Sequence, residues 1–233
     1  MRKRFSGILL ATLTLTCIVG TSTKADAAFF ALICNDLGCT GGDDFSVQDN
    51  SATDTIGANG AISFLTSAFG FVLVVNTSQS KPMIGSASSP QLDVSFAATG
   101  VGSVFLYATD TGFTGPHSFT LAVGTTNSGG GTSLGRAWGR TSNNAADFSA
   151  ANLLATVGPL SGVAASGATV GSFTPAVNPY SLTIGVAITR TTPGTSTGDL
   201  NFSVPEPASM MLLGVGLMGF GAASRRRKAN RAK

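Results

Sequence analysis

Alternation of apolar and polar side chains is the feature that most limits how this chain can fold. Every second residue from Leu182 to Ile188 is Leu, Ile or Val, and a period of two puts these side chains on one face of a strand. Similar runs, bounded by Gly, Asn, Pro and Ser, recur about every ten residues. The candidate strands are Phe29–Cys34, Ala61–Thr66, Phe69–Asn76, Gln91–Ala98, Ser103–Thr109, Ser118–Thr125, Ser181–Arg190 and Asp199–Val204. This spacing predicts an all-β fold, a single antiparallel β-sandwich or jelly-roll-like domain over residues 28–203.

Two stretches break the alternation. Asn144–Thr156 is rich in Ala and Leu, which predicts a short helix. Thr126–Ser133 contains Ser-Gly-Gly-Gly, which predicts a flexible loop. We expect six phenylalanines to fill the space between the sheets: Phe64, Phe69, Phe71, Phe96, Phe105 and Phe119.

The N-terminal segment, residues 1–27, has the three parts of a secretory signal peptide. Arg2-Lys3-Arg4 is the positive region, and an apolar run follows over residues 5–20. Ala25 and Ala27 form an A-x-A site, which predicts cleavage before Ala28. The alternative is an uncleaved anchor, but the apolar run is short for a membrane span.

The C-terminal segment, residues 204–233, also has three parts. Pro205, Glu206 and Pro207 predict an extended hinge, because proline does not fit inside a helix. The apolar stretch 208–223 would span about 24 Å as a helix, slightly less than a hydrocarbon core of about 30 Å. A basic cluster then follows, formed by Arg225, Arg226, Arg227 and Lys228. By the positive-inside rule this cluster predicts a transmembrane helix with the tail in the cytoplasm and the domain outside.

This ordered tail resembles the PEP-CTERM sorting signal, in which a Pro-Glu-Pro motif precedes one apolar helix and a terminal Arg-rich cluster. The resemblance covers about the last 30 residues. It implies recognition of Pro205, Glu206 and Pro207 by an exosortase, a membrane-embedded enzyme that is thought to cut near the motif. It also implies a Gram-negative bacterium that makes exopolysaccharide, and cargo that reaches the cell surface or extracellular matrix. An ordinary single-pass C-terminal anchor is the alternative.

The charges are divided between the ends and the middle of the chain. The whole sequence has 14 Lys and Arg against 11 Asp and Glu. Residues 28–204, however, contain four cations and nine aspartates, which gives this part a net charge of −5. We therefore expect no nucleic-acid surface on the exported domain.

Two cysteines, Cys34 and Cys39, remain after the predicted signal peptide is removed. An exported chain enters an oxidising compartment, so we expect them to form a disulfide. The four residues between them differ from the C-x-x-C spacing of redox-active pairs. A metal site at the pair would lack other ligands, since the only histidine, His117, is distant in sequence.

Two strings resemble catalytic or nucleotide-binding motifs. Gly131–Gly135 matches G-x-S-x-G, but no histidine follows it to complete a hydrolase triad. Gly214–Gly219 matches G-x-G-x-x-G inside the apolar C-terminal stretch, where no βαβ unit is predicted. His117 follows Gly115-Pro116, which predicts an exposed turn. We therefore expect no catalytic site, no enzyme activity and no nucleotide cofactor.

Acidic residues cluster between Asp36 and Asp54. Asp43, Asp44 and Asp49 are the central candidates for oxygen ligands to Ca²⁺. Their spacing does not match an EF-hand loop, so solvated acidic loops are the alternative. Calcium is the one metal that the sequence suggests.

The sequence leaves three functions open for the exported domain. The first is a non-enzymatic surface or matrix protein associated with exopolysaccharide, after transient residence in the inner membrane. The second is a carbohydrate-binding module in which Trp138, with Tyr107 and Tyr180, stacks on sugar rings. Burial of Trp138 is the alternative to this role. The third, a secreted hydrolase, has no coherent set of catalytic residues.

Overall fold

The computed structural model describes residues 28–42, 44–141, 143 and 148–205. Within these ranges the chain is built from antiparallel strands and contains no α-helix, which confirms the predicted all-β class. The strands are β1 (Phe30–Cys34), β2 (Phe45–Gln48), β3 (Ala61–Ala68), β4 (Phe71–Gln79), β5 (Gln91–Phe113), β6 (His117–Asn127), β7 (Gly131–Arg140), β8 (Leu153–Ser161), β9 (Ala165–Phe173) and β10 (Tyr180–Ser203).

Two long strands, β5 and β10, pair with each other along almost their whole length and organise the sheet into two halves. The N-terminal half of β5 and the C-terminal half of β10 form the first layer, in the order β3-β4-β5-β10-β6-β9. Their other halves form the second layer, in the order β2-β1-β5-β10-β7-β8. The change of layer coincides with a register shift between Arg190 and Gly194.

The two layers face each other across one hydrophobic cluster. Val94 and Phe96 enter it from the first layer, and Leu106 and Ile184 enter it from the second. Gly135 on β7 lies so close to β6 that an added Cβ would be 2.4 Å from Val123 Cγ2. The inward side of each strand therefore buries its apolar residues, as the alternation predicts.

Several sequence predictions need correction. Gln91–Ala98 and Ser103–Thr109 belong to one strand, β5, and the last two candidate strands belong to β10. Leu153–Thr156, predicted as helix, lies in β8, and Ala150–Asn152 forms a single 3-10 turn. The predicted loop shrinks to a short turn, because β6 continues to Asn127 and β7 begins at Gly131.

The expected phenylalanine core is largely present. Phe64, Phe71, Phe96 and Phe119 are buried between the layers, and Phe69 packs against them from a half-buried position. Phe105 instead lies on the outer side of the second layer. Alternation explains the difference, since its neighbours Val104 and Leu106 point inward.

The described region begins and ends in well-packed positions. The backbone N–H of Ala28 donates to Thr111 Oγ1 at 3.2 Å, and Phe29 is buried. At the other end Val204 is buried, and its N–H donates to the carbonyl oxygen of Pro90 at 3.2 Å. Contacts of the folded domain therefore start directly after the predicted cleavage point and continue to the predicted sorting segment.

Other predicted positions lie outside the described residues: Ala25, Ala27, Asp43, Glu206, Pro207, Arg225, Arg226, Arg227 and Lys228. The apolar stretch 208–223 is also outside them. In the part of the chain that the structure describes, no helix has the length and apolar character needed to cross a bilayer.

Candidate functional site

The outer side of the second layer carries a separate aromatic cluster. Tyr107 on β5 packs edge-on against Trp138 on β7, with 5.8 Å between the ring centroids. Phe148 contacts both rings, with 4.3 Å between its centroid and that of Tyr107 and, in an edge-on contact, 5.7 Å to that of Trp138. Trp138 is 3% exposed, so it cannot present a face to a sugar. The predicted Trp138 platform is therefore wrong, and the residue packs inside this outer aromatic cluster.

Strand register explains how Tyr107 reaches Trp138 across β10. Gly185 on β10 is paired with both Tyr107 and Arg136. A Cβ at Gly185 would be 2.0 Å from Tyr107 Cδ1, so the tyrosine ring lies over the bare glycine. Tyr107 Oη donates to the carbonyl oxygen of Leu37 at 2.8 Å, and burial raises the pKa of the phenol. Tyr107 is therefore a structural residue at this position.

Tyr180 is also unavailable as a platform. It is buried and contacts Phe173 edge-on, with 5.2 Å between the ring centroids. Burial raises its pKa. His117, 6.3 Å away by ring centroids, places Nε2 at 2.8 Å from the carbonyl oxygen of Thr114 and so donates a hydrogen bond there. These contacts pack Tyr180 and His117 together at the end of the domain where β6 begins.

Cys34 and Cys39 are joined by a disulfide, with 5.2 Å between their Cα atoms. The loop between them is organised by Asp36, whose Oδ1 accepts a hydrogen bond from the N–H of Gly38 at 2.7 Å. The N–H and hydroxyl of Thr40 also donate to this carboxylate. The hydrogen bond from the Thr40 backbone is the main reason that the pKa of Asp36 is lowered. The closed loop covers Tyr107 through Leu37.

An open groove of about 680 Å³ lies beside this loop. Its apolar walls are Phe30 and Leu32 from β1 together with Phe148, all half-buried. Asp44 and Arg140 give it one acidic and one basic side chain. Gly38, Cys39 and Ser149 complete the lining. Aromatic faces beside polar groups of both signs suit a neutral ligand that has an apolar face and hydroxyl groups.

The acidic residues do not converge on a shared cation position in the described ranges. Asp54 accepts hydrogen bonds from the N–H groups of Asn50, Ile56 and Ser63. Asp49 Oδ2 accepts one from Gly60 at 2.8 Å, while burial raises the pKa of this carboxyl group. Five aspartates lie between positions 36 and 54. Three of them, Asp36, Asp49 and Asp54, therefore bond to the backbone of their own loops.

One trio in the described ranges brings possible metal ligands within reach of one another: Cys34, Cys39 and Asp44. Both sulfur atoms of this trio are in the disulfide, so they are not thiolates, the form in which cysteine binds metals. Calcium binding stays a hypothesis without a ligand set in this part of the chain.

Sequence reasoning singled out Cys39 and Asp44 but missed the aromatic and basic residues of the groove. Phe30 was included only as part of a strand, Phe148 fell inside a segment predicted as helix, and Arg140 lies just before that segment. A signal was available in the alternation itself: Phe30, Leu32 and Cys34 share the face opposite to Phe29, Ala31 and Ile33. A strand that is apolar on both faces predicts cover on both sides.

The sorting segment starts at the end of β10. Ser203 is the last residue of the strand, Val204 is still buried, and Pro205 is exposed. A comparison with protein-family models matches residues 203–228 to the PEP-CTERM protein-sorting motif. The chain carries a PEP-CTERM sorting signal. The recognition predicted from the tail is thus confirmed, and the PEP-CTERM signal implies export, a membrane-anchored sorting precursor and recognition by an exosortase.

No curated protein matches the PEP-CTERM chain in sequence. Among solved structures, tailspike protein 4 of bacteriophage CBA120 aligns with 67% of this chain and 21% of its own length, at 13% identity and a TM-score of 0.38. The infectious bursal disease virus Gx strain structure aligns with 76% of this chain and 51% of its own, at 11% identity and a TM-score of 0.30. Similarity at this level says nothing about function.

Proposed function

We propose that this protein is a non-enzymatic component of the cell surface or extracellular matrix, delivered by an exosortase and associated with exopolysaccharide. The observation that carries the proposal is the PEP-CTERM motif at residues 203–228, attached directly to a folded β-domain. In this proposal the precursor is held in the inner membrane by its tail, with the C-terminus in the cytoplasm. The exported domain, residues 28–203, is the cargo.

The junction between domain and motif supports processing of the folded protein. Val204 is fixed by its hydrogen bond to Pro90, whereas Pro205 is exposed. An enzyme in the membrane could therefore reach the motif while β10 stays paired. Cleavage beyond Pro205 would remove none of the described strands.

The position of the G-x-S-x-G string supports the absence of hydrolase activity. Its serine, Ser133, lies in β7, whereas a nucleophile elbow requires a turn between a strand and a helix. Ser133 is buried, and its hydroxyl bonds to Thr125 and Asn127. This serine holds two strands together.

The scaffold that we propose for this role is a β-sandwich of the jelly-roll-like kind. The close approach of Gly135 to Val123 and the single cluster of buried residues support two packed layers. In this arrangement β5 and β10 serve both layers.

Replacement of Pro205, Glu206 and Pro207 by alanine tests the sorting proposal. We expect an uncut precursor to accumulate in the inner membrane, because the recognition motif is gone. The control is Val177→Ala, an exposed loop substitution that should leave processing unchanged. Immunoblotting of cell fractions measures processing and surface delivery. Normal processing and delivery of the triple variant would contradict exosortase handling.

A second candidate function, carbohydrate binding, is favoured by the groove beside the disulfide. Phe30 and Phe148 offer partly exposed rings, and Asp44 and Arg140 offer hydrogen-bonding groups next to them. Sugar rings stack on aromatic faces, and their hydroxyls bond to carboxylate and guanidinium groups. The exopolysaccharide itself would be the natural ligand of this groove.

A glycan array with wild-type protein and Phe148→Ala tests this second function. Binding should fall at least tenfold in the variant if the ring stacks on the ligand. Phe69→Ala is the matched control, because Phe69 is half-buried at the β3–β4 turn, away from the groove. Equal binding by all three proteins, or binding by none, would remove the carbohydrate-binding module from consideration.

A further inference from the structure

The four edge strands of the two layers differ in how well they are protected. Among the described residues, β3 and β9 end the first layer, and β2 and β8 end the second. An exposed edge presents unpaired N–H and C=O groups to any extended partner. Natural domains therefore shorten, interrupt, charge or cover such edges.

Three of these edges carry such protection. Strand β2 has only four residues. On β3, Ser63 donates its N–H to Asp54 and accepts the N–H of Thr55 at 2.8 Å, so a loop covers the middle of the edge. Strand β8 contains Pro159 and has two register shifts against β7. None of the three offers a long regular edge.

Strand β9 has none of these features. It runs for nine residues, from Ala165 to Phe173, without proline or charge. Its register against β6 is unbroken, from the His117–Phe173 pair to the Thr125–Ala165 pair. In the described ranges its other edge has no partner strand. The central residue Val170 is 79% exposed.

The absence of charge around β9 makes this edge suitable for pairing with a second copy of the chain. Residues 148–189 contain no Asp, Glu, Lys or Arg, although the domain as a whole has a net charge of −5. Two copies that approach through β9 bring no charges together, and each satisfies the edge of the other.

We propose that a second copy of this chain pairs with β9 through its own β9, antiparallel and around a two-fold axis. The contact is isologous, so both free edges are used and the assembly closes as a dimer. The first layers of the two copies then form one continuous sheet. This self-association is independent of the sorting and carbohydrate-binding roles proposed above.

Sedimentation velocity of the exported protein, expressed from the full chain and kept in detergent, tests the dimer. We expect a dimer in the wild type and a dissociation constant at least tenfold higher for Val170→Lys, because lysines would then lie close together on adjacent strands. The matched control is Val163→Lys, which adds the same charge at a 75% exposed site in the β8–β9 turn. The dissociation constant of this control should lie within about twofold of the wild-type value.

Spin labels give a second measurement that does not depend on charge. Cysteine at Val170 should give an inter-copy distance within about 15 Å, since paired strands lie about 4.8 Å apart. Cysteine at Leu65, on β3 at the far edge of the same layer, should give about 50 Å. A monomeric wild type, equal dissociation of the two lysine variants, or a shorter distance at Leu65 than at Val170 would overturn the proposal.

Discussion

Two cations in this domain, the half-buried Lys81 and the buried Arg190, are stabilised in different ways. Lys81 pairs with the buried carboxylate of Asp110, with 2.8 Å between Nζ and Oδ2, and lies 4.2 Å from the centre of the Phe113 ring. Arg190 is 2% exposed and donates to neutral oxygens, the carbonyl of Ser128 and the hydroxyl of Ser196. Among the described residues, one cation is thus balanced by an opposite charge, and the other by hydrogen bonds alone.

The two arrangements serve different parts of the fold. Asp110 also accepts hydrogen bonds from the Ser80 hydroxyl and the Thr111 N–H, so it joins the end of β4 to β5. Arg190 lies where β10 changes layer, and its guanidinium fills the space beside Gly131 and Gly194. Removal of the Asp110 carboxylate should therefore lower the free energy of unfolding more than removal of the Arg190 guanidinium. Only the first change leaves a charge, that of Lys81, without its partner.

Asp110→Asn should have the largest effect. The amide keeps one acceptor oxygen, so its NH2 group would face either the ammonium of Lys81 or the N–H of Thr111, and the charge would lose its partner. We expect a loss of about 3 kcal/mol in the free energy of unfolding, measured by urea denaturation. A loss no greater than that of a typical surface substitution would contradict the importance of the pair.

The matched control for this prediction is the double variant Lys81→Met with Asp110→Asn. Removing both charges leaves neither unbalanced, so the double variant should recover part of the loss. Comparison with the single variant Lys81→Met completes a double-mutant cycle. If the losses of the two single variants simply added up in the double variant, the two charges would not interact.

Arg190→Met should have a smaller effect, of about 1–2 kcal/mol. The variant loses the hydrogen bonds to Ser128 and Ser196 but also removes a buried charge that has no carboxylate partner in the described residues. Ser196 keeps its bond to Asn127 at 2.7 Å. The same urea titration provides the measurement, and a loss larger than that of Asp110→Asn would reverse the comparison.

The sequence predicts the fold class better than the extent of its strands. Alternation correctly identifies segments of β5 and β10, but Gly100 and Gly102 interrupt the pattern where the strand continues into the second layer. Strand β9 consists mainly of Ala, Gly, Ser and Thr, whose side chains give no apolar period. The extent of these strands is set by pairing with neighbouring strands that are distant in sequence.

The same limit applies to the candidate site. Trp138 was predicted as a possible platform because large aromatic residues often bind sugars. Its burial depends on Tyr107, which crosses β10 only because position 185 is glycine. Three strands must be paired in register before this relation becomes visible. The tail, by contrast, could be recognised because its signal is local and linear.

The outer side of the first layer offers a third electrostatic arrangement, two neighbouring carboxylates of like charge. Burial and the nearby Asp199 raise the pKa of Asp93 to about 6, against a hydrogen bond from Asn201 at 3.3 Å. In the unfolded chain an aspartate titrates near 3.9. Between these two values the folded state binds more protons, so the free energy of unfolding should fall as pH rises from about 4 to about 6.

Asp93→Asn should therefore stabilise the protein above pH 6 and have almost no effect near pH 4. Because the site is only half-buried and solvent screens the repulsion, we expect a gain of about 1 kcal/mol at neutral pH. Asp199→Asn should give a smaller gain, because it removes the repulsion but leaves the Asp93 carboxylate buried, and the double variant should gain little more than Asp93→Asn. Urea titrations of the three variants across this pH range measure the effect. If Asp93→Asn instead destabilised the fold equally at both ends of the range, Asp93 would stabilise the fold as a hydrogen-bond acceptor. Repulsion between Asp93 and Asp199 would then not lower the free energy of unfolding.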